Sequence, residues 1–228
     1  MNASHILDFY ARLKENNNRE WFEAHKSEYQ RVKTTTECAT ETILKQLSTF
    51  DNSLVTTTIK ECIFRIYRDI RFSYDKTPYK THLGIFMAAN GGRKSPFAGY
   101  YLHIEPGNSA LIPGVYFPEP QVLKALRWSI VDNIEEWNEI VENKDFKKYY
   151  LKLFDADKLK KVPLGFSKDF AYSELLKYKH YAFECPLPDS FFEQENWESE
   201  VVAIFEKAYP FVRFLNFTIG ETLNLNIV

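Results

Sequence analysis

Apolar residues recur at helical spacing from the start of the chain. Ile6, Leu7, Phe9, Tyr10 and Leu13 follow Ser4, a residue type suited to capping a helix N-terminus. Asn16-Asn17-Asn18 then interrupts the stripe. Asn17 stands where it can cap a second helix, with Glu20 three residues on in a capping-box position. Trp21, Phe22, His25, Tyr29 and Val32 form that helix's stripe, which resumes at Ile43, Leu44 and Leu47. Its weak point is Thr34-Thr35-Thr36, because β-branched residues are poor helix formers. The period then changes. Residues 81–89, 97–105 and 110–117 read as strands, separated by Asn90-Gly91-Gly92 and Pro106-Gly107-Asn108. Such short connections make neighbouring strands antiparallel. Residues 62–72 read either as a fourth strand or as a short helix with an irregular exit, and Thr77-Pro78 stops any helix from crossing that point.

Helical spacing returns from residue 119 to about 143, through Val122, Leu126, Ile130, Ile134, Trp137 and Val141, and continues over 145–154. Residues 160–166 read as a loop, 173–178 as a short helix, and 181–185 as an extra strand ended by Pro186. A last helix is expected over 196–209, with apolar spacing resuming at 211–217 beyond Pro210. Helices, then strands, then helices predict an α+β fold: an antiparallel sheet in the middle of the chain, packed against N-terminal and C-terminal helices. The expected division is one domain over residues 1–228, helical over 4–50, carrying the sheet over 62–117, and helical again from 119 onward.

Composition supports a sizeable core, with 45% apolar and 16% aromatic residues among 228. A net charge of −2 and a pI near 6.2 argue against a general nucleic-acid coat, which is basic over much of its surface. Cys38, Cys62 and Cys185 are odd in number and lack CxxC spacing, which suits buried thiols in a reducing compartment. No basic start followed by an apolar run marks a signal peptide, and no stretch reaches the length of a membrane span. A cytoplasmic protein without membrane attachment is the expectation.

Charge is distributed unevenly, and this changes the picture most. Between Phe64 and His82 lie Arg65, Arg68 and Arg71, three of the nine arginines, followed by Lys76 and Lys80. Five cations against Asp69 and Asp75 leave this segment at +3. Guanidinium and ammonium groups near an ordered turn suit a phosphate or carboxylate. As a strand, the segment would put Phe64, Ile66, Arg68, Ile70 and Phe72 on one face and Arg65, Tyr67, Asp69 and Arg71 on the other. As a helix, it would pair Arg65 with Asp69. The competing structural reading has these arginines simply neutralised by Asp69, Asp75 and helix carboxylates.

In the strand Gly99-Tyr100-Tyr101-Leu102-His103-Ile104-Glu105, period two sets Tyr101, His103 and Glu105 on one face. His103 is a candidate general acid or base and Glu105 a candidate orienting carboxylate, with His82 and Tyr101 as further ligand contacts. A polar strand face is equally a wet sheet surface. His82, His103 and Glu105 have zinc-ligand chemistry but match no ligand spacing, so no metal is predicted, and no motif names a cofactor. GxxxxGK[ST], GxGxxG and GxSxG are absent. Aromatic platforms for bases are conceivable near the cations at Tyr67, Tyr79, Tyr100 and Tyr101, although most aromatics sit at core positions.

Several segments together resemble the uncharacterised family catalogued as domain of unknown function 2461. They are Asn16-Asn17-Asn18-Arg19-Glu20-Trp21-Phe22, the run from Phe64 to His82, the strand from Gly99 to Glu105 with Pro106-Gly107, and Leu159-Lys160-Lys161-Val162-Pro163-Leu164-Gly165-Phe166. Asp75-Lys76-Thr77-Pro78-Tyr79-Lys80-Thr81 is the most distinctive of them, and the likeness runs from residue 4 to about residue 215. The family is more glycine-rich after the Glu-Pro-Gly turn than Asn108-Ser109-Ala110-Leu111-Ile112-Pro113-Gly114 is here. The resemblance implies one domain and no particular chemistry. Three functions therefore stand as expectations: a basic pocket for a small anionic ligand (a phosphate ester, nucleotide or carboxylate), an enzyme using a histidine on an anionic substrate, and a module docking an acidic partner or nucleic acid.

Overall fold

A computed structural model of the protein describes residues 2–226. Three helices open the chain, α1 (Ser4–Glu15), α2 (Arg19–Ala24) and α3 (Lys26–Leu47), and the short α4 (Ile59–Cys62) follows. The sheet comprises β1 (Leu83–Met87), β2 (Gly99–Ile104) and β3 (Ser109–Val115). Next come α5 (Pro120–Asp132), α6 (Ile134–Val141) and α7 (Lys144–Lys147), then the short strands β4 (Tyr181–Ala182) and β5 (Cys185–Leu187). The long α8 (Trp197–Leu223) closes the fold. The sheet is antiparallel throughout, in the order β1-β2-β3, with β4 and β5 sharing the far edge of β3. The protein is α+β.

One face of the sheet forms the core. Tyr100, Leu102 and Ile104 of β2 are buried there, and the Tyr100 ring meets Phe205 of α8 edge-on at 5.3 Å. The helix α8 runs straight through Pro210, whereas a stop was expected there. Its buried face carries Val201, Phe205, Ala208, Phe211, Val212, Leu215 and Ile219. Burying each large side chain contributes about 1.5–3 kcal/mol, so their sum outweighs the roughly 3 kcal/mol that an internal proline costs. The threonine run does not break α3 either. Thr34, Thr36 and Thr40 hydroxyls donate back to the carbonyls of Gln30, Val32 and Thr36, which satisfies them inside the helix.

Other boundaries moved for local reasons. Asn18, not Asn17, caps α2, its side chain accepting from Trp21 N–H at 2.9 Å. Asn17 instead grips Tyr79 by both backbone groups, donating to the carbonyl at 2.9 Å and accepting from N–H at 3.1 Å. Residues 119–143 split at Asn133 into α5 and α6. Pro186 does not end the extra strand but lies inside β5, which pairs only with β3, so its missing N–H faces no ladder.

Residues 63–82 are neither the strand nor the helix expected. They form an irregular excursion fixed by the isolated bridges Ile63–Ile85 and Tyr67–Tyr79. Arg68 N–H donates to Pro78 carbonyl at 3.0 Å and Lys80 N–H to Ile66 carbonyl at 2.8 Å. The return limb 78–80 therefore lies beside the outgoing limb 66–68, and the charged tip between them projects away from the sheet.

Candidate functional site

Period two turns the second sheet face away from that core. Phe86 of β1, Tyr101 of β2 and Ile112 of β3 stand in one row across it, beside Gly84 opposite His103. A cleft of about 610 Å³ opens over this face. Phe64, Phe86, Phe97, Ile112, Tyr116 and Phe154 give it apolar walls. Its polar groups are Lys80, His82, Arg93, Ser95, Tyr101 and His103. Size and lining match pockets that hold small organic ligands. Gly84 makes room for Tyr101: a Cβ on Gly84 would come within 2.6 Å of the tyrosine hydroxyl.

Tyr101, His103 and Glu105 form a chain of hydrogen bonds along β2. The Tyr101 hydroxyl lies 3.1 Å from His103 Nδ1, and His103 Nε2 lies 3.1 Å from Glu105 Oε2. Asn108 Nδ2 donates to the same carboxylate oxygen at 3.0 Å. Burial raises the Glu105 pKa, but hydrogen bonds from Asn108 and His103 outweigh it, so the carboxyl titrates below its usual range. An ionised carboxylate only accepts, so Nε2 of the neutral imidazole carries the proton and Nδ1 receives the tyrosine O–H. The turn after β2 fixes the geometry: Glu105 N–H donates to Ser109 Oγ at 3.0 Å, and that hydroxyl donates to Glu105 carbonyl at 2.9 Å.

His82 stacks obliquely on His103, with ring centroids 4.6 Å apart. Burial, then the nearby His103, pull its pKa down to about 4. His82 therefore binds a proton less readily folded than unfolded. Its contribution to stability is present above the unfolded pKa near 6.5 and is lost as pH falls from there toward 4. After allowing for solvent screening, that loss amounts to about 1–2 kcal/mol. His82→Asn is expected to flatten this part of the stability profile in urea unfolding at neutral and mildly acid pH. An unchanged slope in the variant would contradict the assignment.

The cations divide into two groups. Lys80 lines the cleft, its ammonium 5.1 Å from the centroid of the Phe64 ring, and Phe64 also meets the Tyr101 ring edge-on at 6.1 Å. Among the described residues, no carboxylate pairs with Lys80. Burial, then Arg65 and Arg93, lower its pKa. Arg65 is exposed beside it, without a hydrogen-bond or ion-pair partner among the described residues. Arg68 and Arg71 do not line the cleft. Arg68 pairs with Asp75 and with the Thr77 hydroxyl, and Arg71 holds Asp69 through Nε at 2.9 Å and Nη2 at 2.6 Å. Both carboxyls are held low, to about 2, by these side chains and by backbone N–H groups. Lys76 is exposed and donates to Ile70 carbonyl at 2.9 Å. For these three cations the expected convergence fails, because acids and carbonyls of the same loop neutralise them locally.

Arg93 is the cleft residue that sequence reasoning missed. The dipeptide Gly91-Gly92 does not form a hairpin turn alone. It leads into a 3-10 turn, Gly92–Lys94, with both glycines at positive φ. Gly92 presses on the Glu61 carbonyl, where a Cβ would come within 2.6 Å. That approach lets Arg93 donate to the Lys60 and Ile63 carbonyls while lining the cleft. The available signal was a lone arginine directly after a tight glycine pair. Of the four tyrosines considered for base stacking, only Tyr101 lines the cleft: Tyr79 is buried against Phe22 at 4.1 Å, and Tyr100 lies on the core face. His180 is buried, its ring stacked on that of Tyr116 at 4.4 Å.

A smaller cavity of about 300 Å³ lies beside Asp51, Tyr209, Arg213 and Asn216. Its buried polar groups are engaged in the fold: Asp51 accepts from the Tyr100 hydroxyl at 2.9 Å, and Asn216 bonds both backbone groups of Ala98. Among the described residues, no group of three or more His, Cys, Asp or Glu side chains is arranged to hold a metal ion. No helix among them is long and apolar enough to cross a membrane.

Comparison with known proteins places the chain without naming its chemistry. No curated protein and no solved structure matches it. A family model described as a conserved hypothetical protein matches residues 5–214, a span that includes the irregular basic excursion, all five strands and most of α8. The cleft is thus built wholly from the matched region, and the chain belongs to the DUF2461 family of conserved hypothetical proteins.

Proposed function

We propose that the cleft binds a small organic anion, a phosphate ester, nucleotide or carboxylate. Its acidic group meets Lys80 and Arg93, and its apolar body lies against Phe64, Phe86 and Phe97. The observation that carries this reading is Lys80: a part-buried ammonium facing a cavity with cations beside it and no carboxylate opposite. A buried charge without a partner is costly, and an anionic ligand is what relieves it. Arg65 reinforces the field at the rim. The cytoplasm is the compartment we assign, supported by three unpaired cysteines, two of them buried.

Phenylphosphonate, with one aromatic ring and one anionic group but no ester bond, is the simplest probe. In calorimetric titration it should bind wild type and the Arg68→Met/Arg71→Met double variant within about twofold of each other, since those arginines already have acidic partners. Affinity should fall as pH rises through the lowered Lys80 pKa, earlier than an ordinary lysine would dictate, because the neutral amine no longer attracts the phosphonate. Binding that depends on Arg68 and Arg71, or that persists unchanged at alkaline pH, would contradict the assignment.

A second reading, an enzyme acting on an anionic substrate, is supported by the Tyr101–His103–Glu105 chain lying in the same cleft. Both His103 nitrogens are engaged within that chain, so the group it presents to a ligand is the tyrosine oxygen.

A further inference from the structure

The connectivity of Tyr101, His103 and Glu105 is that of a nucleophile, an imidazole and an orienting carboxylate, with a phenol in the first position. The tautomer is the productive one: Nε2–H points at Glu105, and the lone pair of Nδ1 faces the tyrosine O–H. We propose that Tyr101 is a nucleophile that attacks the phosphoryl centre of an anionic ester lying in the cleft. This rests on the anion-binding reading, because Lys80 and Arg93 supply the charge that would hold the phosphoryl oxygens.

The step balances without an outside reagent. The bond from the Tyr101 oxygen to phosphorus forms and the ester P–O bond breaks. The tyrosine proton passes to His103 Nδ1, giving an imidazolium held by Glu105, and the alcohol leaves with that proton. Water then attacks the phosphorus, giving its proton to His103 Nδ1; the Tyr101 O–P bond breaks, phosphate leaves, and the proton returns to the tyrosine oxygen. Tyr101 is the catalytic residue in this scheme. Glu105 is a positioning residue, and so is Gly84, whose missing side chain leaves the space the hydroxyl occupies.

Three features besides the triad connectivity support the assignment. The hydroxyl belongs to a residue that lines the cavity. Phe64 touches both Tyr101 and Lys80, so the nucleophile and the uncompensated cation share one wall. Burial and then Glu105 push the Tyr101 pKa up to about 12, so free phenolate is scarce at neutral pH and an adjacent base is needed for attack. The other titratable groups facing this oxygen's relay are His82, neutral at that pH, and Lys80.

The test uses the full chain and para-fluorosulfonylbenzoate, which joins a carboxylate, an aromatic ring and an electrophile that tyrosine oxygen displaces with loss of fluoride. Peptide mass spectrometry locates the adduct. The expected adduct is at Tyr101, forming faster than at the fully exposed Tyr74, absent in Tyr101→Phe and blocked by phenylphosphonate, which has no ester bond for the tyrosine to displace. His103→Asn keeps a hydrogen-bond acceptor near the phenol but no proton acceptor, and should slow the saturated labelling rate by about 100-fold. Gly84→Ala, which displaces the ring and leaves both relay partners intact, should slow it as well. Lys80→Met should raise the half-saturating probe concentration instead. Labelling of Tyr101 no faster than of Tyr74, or a His103→Asn rate equal to wild type in a variant with wild-type melting, would overturn the proposal. An unchanged half-saturation in Lys80→Met alongside a His103-dependent rate would overturn the anion-binding reading and leave the nucleophile standing.

Discussion

Gly114→Ala is expected to lower the stability of the protein by about 3–5 kcal/mol, a large part of the 5–15 kcal/mol that folded domains possess. Gly114 sits at φ +130°, a region that side-chain-bearing residues rarely adopt. A Cβ there would lie 2.2 Å from the Tyr181 carbonyl oxygen and 2.6 Å from the Ala182 Cα. Both are backbone atoms of β4, so no rotamer change relieves the overlap. The strands β3 and β4 pair at this point, Gly114 opposite Ala182. Either they separate, or Gly114 moves and takes Val115 out of the core with it. For a chain of this length the loss corresponds to a fall in Tm of roughly 10–15 °C in a thermal melt. A variant melting within about 3 °C of wild type would show that the edge of the sheet is more compliant than this geometry allows.

Lys80→Met is expected to weaken phenylphosphonate binding by about 10- to 100-fold while leaving the fold as stable as wild type or more so. A hydrogen bond to a charged group contributes roughly 1.5–3 kcal/mol, which sets the size of the binding loss. The stability change has the opposite sign because methionine keeps the stem's packing on Phe64 and removes an ammonium that burial and neighbouring arginines already disfavour. Opposed changes in binding and stability are characteristic of a residue retained for function. Calorimetric titration and urea unfolding of the same two proteins measure both. Affinity unchanged within twofold, or a variant clearly less stable than wild type, would mean that Lys80 serves the fold and not a ligand.

The order of elements was legible because each signal was local and strongly periodic. Ile6, Leu7, Phe9, Tyr10 and Leu13 marked α1, and alternation over residues 99–105 separated the faces of β2. Errors arose where distant partners decided the outcome. Pro210 could stay helical only because α8 buries a long apolar face, a fact of tertiary packing. Asn17 gave up its capping role to bind Tyr79, sixty-two residues away. The irregular path of residues 63–82 follows from two bridges and that same asparagine clamp, which no period announces.

The site was half legible for similar reasons. Charge density pointed to residues 64–82, of which Phe64, Lys80 and His82 line the cleft, and the period of β2 placed Tyr101, His103 and Glu105 on one face. Charge density alone could not separate Lys80, whose return limb lies against the sheet, from Arg68 and Arg71, whose loop supplies Asp75 and Asp69 to neutralise them. Arg93 escaped notice because its place in the cleft depends on how Gly92 packs against α4.

The central claim is that the cleft over the sheet, and not the exposed arginine loop, receives an anion. A crystal of the wild-type protein soaked in phenylphosphonate tests it most directly. The account predicts the phosphonate within hydrogen-bonding reach of Lys80 and Arg93, with its ring against Phe64 or Phe86 and an oxygen near the Tyr101 hydroxyl. Density for the phosphonate at Arg68 or Arg71 with the cleft empty would contradict it.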